Sequence, residues 1–176
     1  MKDVQSKTQD NLRTAFLRES GAFMDYTFYA EQAKADGYEQ IAKVFTQFAT
    51  NEQAHAKVWF QLFHGIAGTE DNLIDSIDLE NHERTVMYLE FSKVARQEGF
   101  NDIADLFDGV ADIEKEHEKV YKTLLENVQN NKVFKNEKEV IWQCQNCGHE
   151  HKGKNAPQKC PICSSAQAFF SIKQQN

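Results

Sequence analysis

Proline is almost absent from this chain: the first 130 residues contain none, and both prolines, Pro157 and Pro161, lie in the tail. Cysteine is confined in the same way, with Cys144, Cys147, Cys160 and Cys163 all within twenty residues near the C-terminus. No basic run occurs and the net charge is −7, which excludes a nucleic-acid partner held by phosphate contacts. No apolar run approaches the roughly 20 residues a membrane helix needs, and no signal-peptide pattern opens the chain. A soluble, cytoplasmic protein with no membrane partner is therefore expected. In that compartment two Cys-x-x-Cys pairs point to a metal site and away from disulfides. A length of 176 residues fits one ordinary domain plus a small one.

Two stretches organise the remainder, Glu52-Gln53-Ala54-His55 and Glu114-Lys115-Glu116-His117. Each lies in a long stretch with helical periodicity. An i, i+3 spacing sets carboxylate and imidazole on one helical face, where both reach the same metal. Two such pairs, with one more Glu from each of two other helices, make the inward ligand set of a ferritin-like dinuclear iron site. A single Glu-x-x-His is ordinarily a solvated helix face, but these two lie inside an internal repeat. Ala35–Phe45 aligns with Gln97–Phe107 at an offset of 62, and carrying that offset onward sets Glu52 on Glu114 and His55 on His117. A duplicated helix hairpin accounts for this.

Four helices are expected, over 4–36, 39–64, 71–98 and 101–130, with Gly37 and Gly99 marking turns. Glu19 lies between Phe16 and Phe23 on the first helix's apolar face, where a carboxylate calls for a cation or metal. On the second, Ile41, Val44, Phe45, Phe48, Glu52, His55 and Trp59 form the expected inner stripe. On the third, Glu80 and Glu83 are three apart and share a side. The 62-residue offset sets Asn81, not an acid, opposite Glu19, so the repeat alone leaves open which of the two acids is a ligand. The link between the second and third helices is short. A ferritin-like bundle needs a long crossover there, so a domain swap with a second copy is the alternative.

Beyond a charged linker near 135–139, Cys144-Gln145-Asn146-Cys147 and Cys160-Pro161-Ile162-Cys163 form two knuckles that complete an all-sulfur tetrahedral site. So small a module buries little core, and the metal is expected to hold it together. His149 and His151 read as surface residues because four thiolates already fill the site.

Over essentially its whole length the chain resembles the rubrerythrins. The resemblance rests on Thr14–Ser20 with Tyr26 seven residues after the acid, on Glu52–Lys57, on Glu80–Tyr88, on Glu114–His117 and on the tetracysteine module. It implies a mainly α fold: a ferritin-like four-helix diiron bundle over 1–135, then a small rubredoxin-like metal-bound β module over 139–176. It also implies that both Glu80 and Glu83 are ligands. Glu52 and Glu114 would bridge the irons, with Glu19 terminal on one and Glu80 with His117 on the other. Glu83 would exchange with His55 on the remaining iron as its oxidation state changes. Tyr26 is implied as a neighbour of the site. The chain departs from the family at Leu89, where many members have proline; this bears on helix shape more than on ligands.

The activity implied is reduction of hydrogen peroxide to water in oxidative-stress defence. Electrons would come from NAD(P)H through an external rubredoxin or flavoprotein reductase and pass through the tetracysteine iron. A homodimer is implied by the same resemblance. The competing reading is a ferroxidase or iron-handling protein with a zinc ribbon at the cysteines, zinc also being open to misincorporation in the enzyme. A purely structural helical protein is the third.

Overall fold

The computed structural model describes residues 6–173, which divide into two units between residues 67 and 68. The first unit is a helical hairpin of α1 (Lys7–Ala35) and α2 (Glu39–Phe63). Residues 4 and 5, where the first helix was expected to begin, lie outside the described residues. Ser6 starts α1 with a capping box: its Oγ accepts from the Gln9 backbone N–H at 3.2 Å, and the Gln9 side chain accepts from the Ser6 N–H. The turn is a Schellman motif, with Tyr38 N–H on Ala33 O and Gly37 N–H on Lys34 O. Gly37 takes the left-handed φ of 83° that this motif requires.

The second unit begins with another hairpin, of α3 (Thr69–His82), a five-residue π-helical turn (Glu83–Met87), α4 (Tyr88–Gln97) and α5 (Asn101–Gln129). Its turn repeats the first, with Phe100 N–H on Ala95 O and Gly99 N–H on Arg96 O. The third helix, expected as one uniform run, is thus interrupted. Within the π turn the Tyr88 N–H reaches back five residues to Glu83 O, and such a turn accommodates one extra residue.

That extra residue resolves the misalignment of Glu19. Downstream of the π turn the repeat runs at 62; upstream it runs at 61, where Asp10-Asn11-Leu12 matches Asp71-Asn72-Leu73 and Glu19 matches Glu80. The duplication therefore does distinguish Glu80 from Glu83, once the insertion is located.

Inside each hairpin the buried positions fall at repeat-equivalent places and, Glu118 apart, carry small residues. Ala30, Ala33, Ala42, Ala49 and Ala56 fill the first seam, and Ser92, Ala95, Ala104, Ala111 and Glu118 fill the second. Ala42, Ala49 and Ala56 recur every seven residues, as do Ala104, Ala111 and Glu118, giving each helix one narrow stripe. On α2 the expected inner stripe lies beside this hairpin seam and not in it: Ile41, Val44 and Phe48 are about half exposed, while Ala42, Ala49 and Ala56 are buried. Small side chains let the helices of a hairpin approach closely and leave the larger apolar face uncovered.

The unit continues into an antiparallel sheet of order β2-β1-β3, from β1 (Lys135–Cys144), β2 (Glu150–Asn155) and β3 (Phe170–Ile172). The charged stretch expected as a linker is the start of β1, where Lys135 pairs with Asn155. Trp142, Cys144, Ala156, Cys160 and Phe170 form a small core, and the Trp142 indole N–H donates to Gly153 O at 3.1 Å.

Ala104 has no exposed surface. Ala104→Leu is expected to cost about 1–3 kcal/mol by overpacking the seam, a fall of roughly 2–12 °C in the melting of the helical circular dichroism.

Candidate metal centres

Among the described residues three groups of side chains bring metal-binding atoms within 4.8 Å of one another: Glu19 with Glu52 and His55, Glu80 with Glu114 and His117, and the four cysteines. In the first, α1 supplies Glu19 and one turn of α2 supplies the other two, with His55 Nδ1 3.0 Å from Glu52 Oε2. The Glu19 carboxyl is raised, first because it shares a hydrogen bond with Glu52, then by burial and by the charge of Glu52. Glu52 is correspondingly lowered as it accepts from Glu19 and His55. Two carboxylates this close hold a proton between them unless a cation takes its place.

The second group repeats this from α3 and α5. His117 Nδ1 lies 2.7 Å from Glu114 Oε2 and 3.6 Å from Glu80 Oε2. Burial, then the hydrogen bond and charge of Glu114, raise Glu80. Two carboxylates and one imidazole per triad suit iron or manganese, hard oxygen and borderline nitrogen donors together. Glu83, first residue of the π turn, stands outside the group of Glu80, Glu114 and His117, although its charge adds to the rise of Glu80.

Tyr88, in the Glu80–Tyr88 segment, is a site neighbour that sequence reasoning missed. Its hydroxyl is raised by burial and then by the charges of Glu83, Glu114 and Glu80. The repeat carried the signal, because Tyr88 lies 62 residues after Tyr26. Both sit in equivalent ring clusters: Tyr26 with Tyr29 and Phe45, and Tyr88 with Phe91 and Phe107.

The sulfurs of Cys144 and Cys163 lie 3.7 Å apart, and those of Cys147 and Cys160 3.6 Å. A metal–sulfur bond of about 2.3 Å in a tetrahedron sets sulfur edges of about 3.8 Å, while a disulfide needs about 2.05 Å. The four donors therefore fit a tetrahedral ion. Each knuckle closes on a left-handed residue, Gly148 at φ 77° and Ser164 at φ 62°, whose N–H bonds the first cysteine's carbonyl. The Ser165 hydroxyl, followed by Asn146, brings Cys163 down to about 5. Cys147 is pushed up to about 12 by the neighbouring thiols and burial, against the pull of the His149 backbone.

Trp142 is 1% exposed beside these cysteines. Stripping the metal with a strong chelator should unfold the sheet, red-shift the Trp142 fluorescence and leave the helical circular dichroism essentially intact. Emission unchanged after verified metal loss would show that the β module stands without it.

No helix among the described residues is long and apolar enough to cross a membrane. The family model "Rubrerythrin" matches residues 10–125 and 71–145, and "Rubrerythrin, rubredoxin-like domain" matches residues 142–171. Rubrerythrin-1 of Clostridium acetobutylicum is 41% identical, over 97% of this chain and 96% of that protein. A rubrerythrin of Porphyromonas gingivalis is also 41% identical, over 97% and 92%. That of Nitratidesulfovibrio vulgaris is 38% identical, over 95% and 94%. On helices, sheet, knuckles and these relatives together, the chain belongs to the rubrerythrin family, and its cofactors are dinuclear non-haem iron and one tetracysteine-bound iron.

Proposed function

We propose that this oxidoreductase is a peroxidase that reduces hydrogen peroxide to water in the cytoplasm, with electrons drawn from NAD(P)H through an external rubredoxin or flavoprotein reductase. The observation that carries this is the pairing, in one chain, of two carboxylate–imidazole triads with a tetracysteine site of tetrahedral spacing. Glu19, Glu52, His55, Glu80, Glu114 and His117 would hold the two irons, with Glu83 as a further ligand alternating with His55. Such a pair would supply the two electrons that O–O cleavage needs, and Cys144, Cys147, Cys160 and Cys163 would hold the one-electron carrier.

The chain's own groups handle protons and charge. Glu19, raised first by its hydrogen bond with Glu52, and Glu80, raised first by burial, are the carboxyls whose shifts an entering cation would reverse. The Tyr88 hydroxyl, raised by burial and then by three neighbouring carboxylates, serves as a hydrogen-bond donor to oxygen in the site; Tyr26 lies at the repeat-equivalent position of the first hairpin. The bundle over 1–135 houses reduction of peroxide, and the module over 139–176 houses the relay.

The working form is a homodimer with exchanged hairpins. Only five residues, His64–Gly68, separate α2 from α3, a reach of at most about 18 Å. The 25 residues of α2 run about 37 Å. A same-chain bundle with α3 parallel to α2 needs a crossover of that length. Each first hairpin therefore pairs with the second hairpin of another copy, which covers the exposed Ile41, Val44, Phe48, Ile103 and Leu106.

Adding peroxide to the anaerobically reduced, iron-loaded protein should restore the bleached colour of the tetracysteine iron. Glu114→Ala should abolish that return while keeping the colour itself; no return in the unsubstituted protein sinks the peroxidase reading. Exchange is tested by co-refolding Glu52→Ala/His55→Ala with Glu114→Ala/His117→Ala. A swapped dimer regains one intact diiron site per mixed dimer, whereas bundles closed within each chain regain none.

A further inference from the structure

One buried charge has no part in the function above. Glu118 is 5% exposed and occupies the seam position where the first hairpin has Ala56, 62 residues earlier. Its Oε1 accepts from Asn81 Nδ2 at 3.1 Å and from Lys122 Nζ at 2.5 Å. Its Oε2 accepts from Arg84 Nε at 3.1 Å and lies 3.0 Å from Arg84 Nη2. A carboxylate in an alanine seam is costly unless its oxygens are satisfied, and here both are. The same contacts hold it well below the usual carboxylate range, at about 2, Lys122 foremost and then Asn81.

The partners are placed in a telling way. Asn81 follows Glu80 in sequence, and Arg84 follows Glu83 in the π turn. Thr85 Oγ1 donates to the Asn81 backbone carbonyl at 2.6 Å and lies 3.2 Å from its side-chain oxygen. This covers a carbonyl where the hydrogen-bond ladder changes from four-residue to five-residue spacing. The first hairpin has no π turn and has Ser20 and Phe23 at the matching places, 61 residues earlier. The polar clamp and the π turn thus occur together, in one hairpin of the two.

We propose that Glu118 is a positioning residue for the second half-site: by gripping Asn81 and Arg84 from α5 it fixes the π turn in the register that sets Glu80 against Glu114 and His117 and presents Glu83 beside them. The proposal rests on the ligand reading of Glu80 and Glu83. It separates two roles of one carboxylate. A stabilising ion pair is replaceable by apolar residues of similar volume; a register clamp is not, because apolar side chains do not direct Asn81 and Arg84.

Manganese(II) is the probe, since carboxylate and imidazole donors take it and a four-thiolate site does not. The full chain, tetracysteine site filled, is titrated with manganese and free ion is counted by electron paramagnetic resonance. The unsubstituted protein should bind two ions per site with the signature of a coupled pair. Glu118→Leu is expected to weaken binding of at least one ion about 10–100-fold, the usual effect of removing a group that orients a ligand. Arg84→Met/Glu118→Leu is expected to recover thermal stability but not manganese affinity or the coupled signal. Asn81→Ala, which leaves the ion pair in place, should weaken binding in the same direction.

Full recovery of binding in the double variant would overturn the clamp, as would unchanged binding in Glu118→Leu. No manganese bound by the unsubstituted protein would overturn the ligand reading, and the clamp with it.

Discussion

The distance between the two helices of each hairpin is the constraint on which everything else depends. Alanines at seven-residue intervals on α2 and α5, facing small residues on α1 and α4, let the helices approach closely enough for carboxylates from opposite helices to share one proton. Larger seam residues would separate Glu19 from Glu52 and Glu80 from Glu114, and the triads would lose the donor spacing an ion needs. The close approach also leaves large apolar side chains such as Phe48 and Ile103 on the outer face, so a hairpin is an unfinished unit. Site geometry and the uncovered apolar face have the same origin.

On that shared frame the two hairpins diverge at one place. An extra residue between Glu80 and Gln97 is taken up as a π turn, whose first residue, Glu83, adds one more charge to the field at Glu80. The same region carries the buried Glu118 with Asn81, Arg84 and Lys122, where its counterpart carries Ala56. The half-site with the additional acid is thus the one with the polar clamp. The tetracysteine module follows another logic: a core of five buried residues around two knuckles is too small to stand by apolar burial alone, and its sulfurs already have the spacing of a tetrahedral ion.

The sequence by itself determined the helical hairpins, their glycine turns, the Glu-x-x-His pairs and the paired knuckles. Each is a local pattern, set by a fixed number of residues between interacting groups. Glu19, Glu52, His55, Glu80, Glu114 and His117 came from spacing, repeat and resemblance, and the structure brings them into two triads. Only the tertiary structure decided the remainder. The π turn stayed hidden because the residues from Glu83 to Met87 suit either helical ladder, and the insertion shows only as a change of repeat offset from 61 to 62. The alanine seam went unread because burial within a hairpin depends on what faces a residue, not on its own hydrophobicity. Glu118 carries no local signal: its partners Asn81 and Arg84 lie 37 and 34 residues away, and no local spacing relates them to it.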